Sequence, residues 1–173
     1  MSRVTQWQTQ VRSPQHWVWA AERLHSAAHL LWQSSVAERR RLRSRGAEPT
    51  PDSDALIEGA FVALALAGFS LENLVKAVLI QKDPSLVGAS RLDRSLTSGH
   101  PLPALFVRAC PLEPHEELSF VERAATFLVW SGRYPWPISD QPVPLGARMS
   151  LSSDPQVFNR LYRRLRALLK VGV

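Results

Sequence analysis

The feature that most constrains the fold is an apolar run, "GAFVALALAGFSL", which extends from Gly59 to Leu71. Glu58 and Glu72 bracket this run, and the longer segment from Asp54 to Gln81 carries apolar side chains on most sides of one predicted helix. The run is shorter than the roughly 20 apolar residues that cross a bilayer. A helix that is apolar nearly all round is buried by its neighbours. The sequence therefore predicts a central core helix and no membrane span.

Other segments predict helices that cover this central one. A long helix is expected from Ser13 to Ser44, with Gly46 as its stop after an arginine-rich end. A short helix is expected from Pro101 to Ala109, and another begins near Pro114. The last helix is expected over 154–171, with Asp154 as a strong N-cap. The fold class is therefore an all-α, four- to five-helix up-down bundle.

The chain of 173 residues is expected to form a single domain over 1–173. Its core is expected at about 14–133, followed by a proline-rich connection at 134–153 and the last helix. Cys110 is the only cysteine, so no internal disulfide is possible, and a reducing cytosol fits. The N-terminal residues show no apolar segment of the kind found in signal peptides. We expect a cytoplasmic location and no membrane partner.

The balance of charge favours an anionic partner. The formal net charge is +6, with 18 arginines and only 3 lysines. A basic surface attracts phosphate groups and steers nucleic acid toward it. A bias toward arginine also arises in GC-rich genomes, so the charge alone identifies no ligand.

Two pairs of polar residues stand one helical turn apart. His25 and His29 have metal-ligand spacing, but the sequence offers no third ligand near them beyond Glu22. We expect core or interface histidines there, with no metal site and no cofactor. Glu72 and Lys76 lie on the apolar central helix, where buried charges need partners. This pair either forms an ordinary ion pair or lines a polar pocket.

Three phrases along the chain resemble the HEPN family, a helical superfamily of nucleotide- and RNA-associated proteins. They are "ENLVKAVL" on the central helix, "GHPLPALF" at the short helix, and "WSGRYPWP" after the fourth helix. The resemblance covers about 54–137. It implies a helical bundle that forms a homodimer, with RNA or a nucleotide as ligand. Relatives act in toxin–antitoxin, phage-defence or CRISPR settings, as metal-independent ribonucleases or as non-catalytic binding modules.

Active members of that family use an Arg-x4–6-His motif, in which histidine acts as acid or base and arginine holds the phosphate. The chain has three such matches, which begin at Arg23, Arg94 and Arg108. A polar residue follows the arginine in active members, and only Arg94 satisfies this. The resemblance therefore makes His100 and Arg94 the candidate catalytic residues, with Arg133 as a further candidate.

The phrase around Arg133 supplies the candidate ligand-binding residues. Trp130 and Tyr134 flank the arginine, and prolines stiffen the exit from the helix. Arg133 is expected to face either an anion or the carboxylate of Glu72, since a buried carboxylate demands a cationic partner. The candidate anion-binding set is Arg133, Lys76, Glu72, Tyr134 and Trp130.

Three functions follow as hypotheses. The leading one is a HEPN-like module that binds nucleic acid or a nucleotide. The first alternative is a metal-independent endoribonuclease that uses His100 with Arg94 or Arg133. The second is a non-catalytic protein-interaction partner, with an antitoxin as one kind of partner, whose docking face would be the stripe of His25, His29, Trp32 and Val36.

Overall fold

A computed structural model describes residues 3–46, 48, 50–98, 101–113, 115–128 and 150–170 of the protein. Helices account for most of these residues, and no β-strand occurs among them. The helices are α1 (Arg3–Arg12), α2 (Pro14–Arg45), α3 (Pro51–Lys82), α4 (Arg94–Thr97), α5 (Leu102–Ala109), α6 (Glu116–Thr126) and α7 (Asp154–Leu168). A 3-10 turn at Pro84–Leu86 follows α3. The all-α prediction is confirmed.

Helices α2 and α3 form a long antiparallel hairpin. Gly46 ends α2 with a positive φ of 56°, and its N–H donates to the carbonyls of Leu42 and Arg43. Thr50 begins α3, because its hydroxyl accepts from the N–H of Ser53 while Ser53 Oγ accepts from the N–H of Thr50. Thr50 is therefore the N-cap, and Ser53 occupies the third helical position of a capping box.

Helix α3 is the central element, and α2, α5, α6 and α7 all pack against it. Its buried side chains include Leu64, Leu71 and Leu74. Gly68 permits close approach of Leu128, which lies just after α6, since a Cβ at position 68 would lie 3.0 Å from Leu128 Cγ. Within the described residues, α3 alone is long and apolar enough to cross a membrane by length and composition, a test that core helices of soluble proteins also meet. Of its most apolar window, 47% is buried inside the protein.

Two short helices lie outside the predicted set. Helix α1 packs Trp7 and Val11 against the core, so the core begins before residue 14. Helix α4 is a single turn, in which Asp93 Oδ1 accepts from the N–H of Ser95. Helix α4 ends at Thr97, and α5 begins at Leu102, one residue after the predicted start.

The ends of α7 differ from the prediction. Ser153 is its N-cap and makes no side-chain capping bond, whereas Asp154 is the first helical residue. The carboxylate of Asp154 instead forms an ion pair with Arg123, whose Nη2 lies 2.6 Å from Asp154 Oδ1. The helix ends at Leu168, and that side chain is 41% exposed, while Leu169 takes the buried position. The buried stripe is therefore Phe158, Leu161, Leu165 and Leu169.

Candidate functional site: an arginine groove

Four of the predicted site residues lie outside the described residues: His100, Trp130, Arg133 and Tyr134. The predicted contact between Arg133 and Glu72 falls outside them for the same reason. Arg94 is described, and it is an exposed first residue of the single-turn helix α4. Arg108 Nη1 donates to the hydroxyl of Ser95 at 3.2 Å, which joins α4 to α5. The first residue of the Arg94 motif is therefore exposed to solvent.

Glu72 and Lys76 form a buried ion pair on α3. Lys76 Nζ donates to Glu72 Oε1 at 2.6 Å, and their side chains are 12% and 4% exposed respectively. Glu72 is buried and Lys76 is partly buried, so the pair is not an ordinary surface ion pair. Each charge compensates the other, so the pair adds little net field that would attract a free anion.

The arginine-rich end of α2 forms a groove with the start of α7, a surface that the sequence hypotheses did not include. Val36, Arg39, Arg40 and Arg43 follow one another at i, i+3, i+4 and i+7, so they share one face of the helix. Residues that precede and begin α7 form the opposite wall. The groove has a volume of about 460 Å³ and is lined by Val36, Arg39, Arg40, Arg43, Leu151, Ser152 and Gln156.

The charges of this groove are not balanced by nearby carboxylates. Arg39, Arg40 and Arg43 are all exposed, and none of them forms an ion pair with any other residue of the described chain. Arg41, which points to another face, donates from Nε to Glu38 Oε2 at 2.7 Å. The Arg41 hydrogen bond lowers the pKa of the Glu38 carboxyl, so Glu38 is ionised at neutral pH and neutralises Arg41. Three positive charges therefore face the groove.

The chemistry of the groove suits phosphate groups. Each guanidinium offers a planar fork of N–H donors that matches two phosphate oxygens. Ser152 and Gln156 add neutral hydrogen-bonding groups, and Val36 and Leu151 add apolar surface. The volume lies in the range of small-ligand sites, which is roughly 300–1,000 Å³. Such a surface can hold a nucleotide, or a short stretch of a nucleic-acid backbone with part of a base.

A second cavity, of about 330 Å³, lies between α6 and the start of α7. Its single arginine, Arg123, already pairs with the buried carboxylate of Asp154. Glu116 adds a further negative charge at its wall. His115 borders it, and the backbone of this residue has a φ of 71°, which residues other than glycine rarely adopt. Because its lining carries two carboxylates and one guanidinium, this cavity attracts phosphate less strongly than the arginine groove does.

The two histidines of α2 meet α7. His25 Nε2 lies 2.9 Å from Asn159 Oδ1, and His29 Nε2 lies 2.7 Å from the same oxygen. Burial lowers the pKa of His25, and the hydrogen bond to Asn159 offsets this only in part. Both histidines therefore lie where α2 contacts α7.

This arrangement corrects the predicted docking face. Trp32 is only 1% exposed, and both histidines are partly covered by Phe158 and Asn159 of α7. The stripe of His25, His29, Trp32 and Val36 is therefore mostly an internal contact and is not open to a partner. Val36 remains half-buried as a wall of the groove.

No protein-family model matches this chain, and neither a curated protein nor a solved structure matches it. The HEPN-like resemblance therefore depends on the sequence phrases alone and stays a prediction.

Proposed function

We propose that the protein is a nucleic-acid- or nucleotide-binding module and that the arginine groove holds the phosphates. The observation that carries this proposal is the convergence of Arg39, Arg40 and Arg43 on one cavity with no carboxylate partner among the described residues. Unpaired guanidinium groups on one helix face repel one another at a small cost in helix stability. An anionic ligand removes that repulsion and gains charge-assisted hydrogen bonds.

The net charge of +6 supports the same proposal, because it adds long-range attraction for a polyanion. The HEPN-like phrases favour RNA as the polymer, and the groove itself requires only phosphate. Polymer and mononucleotide are separated by experiment, since a polymer binds with strong salt dependence.

The test is fluorescence anisotropy with a labelled single-stranded RNA at several salt concentrations. Three phosphate contacts predict a slope of log K against log salt near −2 for a single strand. The variant Arg39→Gln/Arg40→Gln/Arg43→Gln should bind at least about tenfold more weakly and lose most of that slope. An unlabelled mononucleotide that displaces the RNA would indicate a nucleotide site.

The matched control is Arg23→Gln/Arg91→Gln/Arg163→Gln, which removes the same number of charges from exposed positions outside the groove. If affinity depends only on net charge, the two variants lose it equally. The proposal requires the groove variant to lose much more. Wild-type protein that does not bind RNA, DNA or nucleotide at low salt contradicts it, as does a groove variant that binds like wild type.

A further inference from the structure

We propose that His25, His29 and Asn159 form a binding site for one divalent transition-metal ion such as Zn²⁺. The Nε2 atoms of the two imidazole rings converge on one amide oxygen, Asn159 Oδ1, where α2 contacts α7. The Nε2 atoms lie 2.9 Å and 2.7 Å from Asn159 Oδ1, so both rings already aim the same nitrogen at one place. Such convergence is the main geometric requirement of a chelate.

The sequence spacing suits this chelate. His25 and His29 lie four residues apart within the continuous helix α2, which is the spacing of the two histidine ligands in zinc-binding H-E-x-x-H helices. A zinc–nitrogen bond is about 2.0–2.1 Å long. An ion near the present position of the oxygen thus requires each ring to approach by roughly 0.7 Å. The amide oxygen would withdraw by roughly 2 Å and bind the ion from the side of α7.

Solvent access favours the site. All three side chains are half-buried, so an ion can reach them from water while the helices hold them in place.

One carboxylate and two guanidinium groups lie near the site. Glu22 stands one turn before His25 on α2, and its negative charge favours a cation. Arg163 on α7 opposes a cation. Arg166 Nη2 lies 3.4 Å from Glu22 Oε1, and that carboxylate is 45% exposed. The local charge is therefore net positive, so the two imidazole nitrogens have to supply most of the binding free energy.

The ligands indicate which metals bind and what the ion does. Imidazole nitrogen favours Zn²⁺, Ni²⁺ and Cu²⁺ over Mg²⁺ and Ca²⁺. No three His, Cys, Asp or Glu side chains converge among the described residues, so the proposed site needs Asn159 as its third protein ligand. Ser26, an exposed residue, occupies the place of the glutamate that serves as base in H-E-x-x-H enzymes. The ion therefore links α2 to α7 and has no hydrolytic role.

The experiment is calorimetric titration of Zn²⁺ into metal-free full-length protein at neutral pH. We expect one ion per chain. His29→Gln should weaken binding at least about tenfold, because one of two nitrogen ligands is lost. Asn159→Asp should tighten it, because a carboxylate binds Zn²⁺ more strongly than an amide does. His16→Gln is the matched control, since His16 is an exposed histidine of the same helix and should leave affinity unchanged.

Three results would overturn the proposal: no saturable Zn²⁺ binding by wild type, unchanged affinity in His29→Gln, or an equal loss in His16→Gln. Circular dichroism checks the fold of each variant. If His29→Gln does not fold, electron paramagnetic resonance of wild-type protein loaded with Cu²⁺ decides. Coupling to two imidazole nitrogens supports the site, and coupling to one or none contradicts it.

Discussion

The carboxylate of Asp154 lies 2.6 Å from the guanidinium of Arg123, and this ion pair ties the first residue of α7 to α6. The side chain of Asp154 is 1% exposed and that of Arg123 is 13% exposed. Asp154 Oδ2 also accepts from the N–H of Ser150. Burial raises the pKa of the Asp154 carboxyl, and the positive charge of Arg123 offsets this only in part. Arg123 is therefore the main cationic support for a buried carboxylate.

Removal of Arg123 should destabilise the protein strongly at neutral and alkaline pH. We expect Arg123→Met to lower the free energy of unfolding by about 3–5 kcal/mol, because it leaves a buried charge without a partner. In this variant the folded-state pKa of Asp154 rises further above its unfolded value of about 3.9. The deficit relative to wild type is then smallest below about pH 4 and grows as pH rises through the folded-state pKa of the variant. Urea unfolding across this pH range measures the effect.

Two further variants make this prediction specific. Arg163→Met removes an exposed charge from α7 and should change stability by no more than about 0.5 kcal/mol. The double variant Arg123→Met/Asp154→Leu should recover much of the loss, since it removes both buried charges. A deficit in Arg123→Met that is constant with pH would contradict the assignment.

Glu117 should give the opposite dependence on pH. Its Oε2 accepts from Arg164 at 2.7 Å and from the N–H of Glu113 at 2.8 Å, and its Oε1 accepts from Arg160 at 3.1 Å. Burial works to raise the pKa of Glu117, but the Glu113 N–H and the two arginines together outweigh it, so the pKa lies below its ordinary value. The ionised form therefore stabilises the fold.

We expect Glu117→Gln to lower the free energy of unfolding by about 1–3 kcal/mol at neutral pH, since an amide cannot accept from all three donors. Because the folded-state pKa is depressed, this stabilisation is present above the unfolded pKa of about 4.3 and is lost as pH falls through the folded-state value. The gap between wild type and variant should thus close in acid. Glu116→Gln, at an exposed neighbour, should show a much smaller gap at every pH.

The helices could be predicted because their sequence signals are local. The residue at which a helix begins or ends could not always be predicted. Pro14 and Gly46 mark the ends of α2 by backbone geometry alone, and the prediction there holds to within a residue. Thr50 and Ser53 are both good capping residues, and only the reciprocal bonds between them decide which one begins α3. The sequence offers no means to choose between two such neighbours.

The candidate sites were harder to predict, because each combines residues of α2 with residues of α7 that are distant in sequence. The spacing of Arg39, Arg40 and Arg43 on one helix face was visible, and it could have indicated an anion site. Gln156, which faces those arginines, comes from a helix more than a hundred residues later. Asn159 completes the histidine pair in the same way. Such long-range pairings arise only from the packing of α7 on α2.

Close packing at Gly68 predicts whether alanine at this position raises or lowers the free energy of unfolding. A Cβ at that position would lie 3.0–3.2 Å from three side-chain carbons of Leu128. The expected cost of overpacking is about 1–3 kcal/mol. Alanine gains no more than about 1 kcal/mol over glycine in a helix. Gly68→Ala should therefore lower the free energy of unfolding, as measured in urea.

Gly59 on the same helix is the matched control. A Cβ there would meet Leu31 Cδ2 and Ser35 Oγ at 3.7 Å, which is ordinary van der Waals contact. Gly59→Ala should thus raise the free energy of unfolding by about 0.4–1 kcal/mol, because it reduces the freedom of the unfolded chain. A Gly68→Ala variant as stable as Gly59→Ala would show that Leu128 moves aside at little cost.

The motif from Arg94 to His100 separates a binding module from a ribonuclease. Metal-independent cleavage needs a histidine that exchanges a proton with the 2′-hydroxyl and an arginine on the same phosphate. The arginines that we propose to hold phosphate lie on α2, whereas Arg94 lies on α4. We therefore expect RNA to bind to wild-type protein in EDTA and to stay intact, as read on a denaturing gel.

The same assay is run on His100→Ala, Arg94→Ala and Arg133→Ala, and circular dichroism checks the fold of each variant. Cleavage by wild type that His100→Ala abolishes would contradict the binding-only function and identify His100 as the acid or base. Cleavage that survives in all three variants would indicate a contaminating nuclease. Intact RNA with wild type, together with binding lost in the groove variant, is the result that we expect.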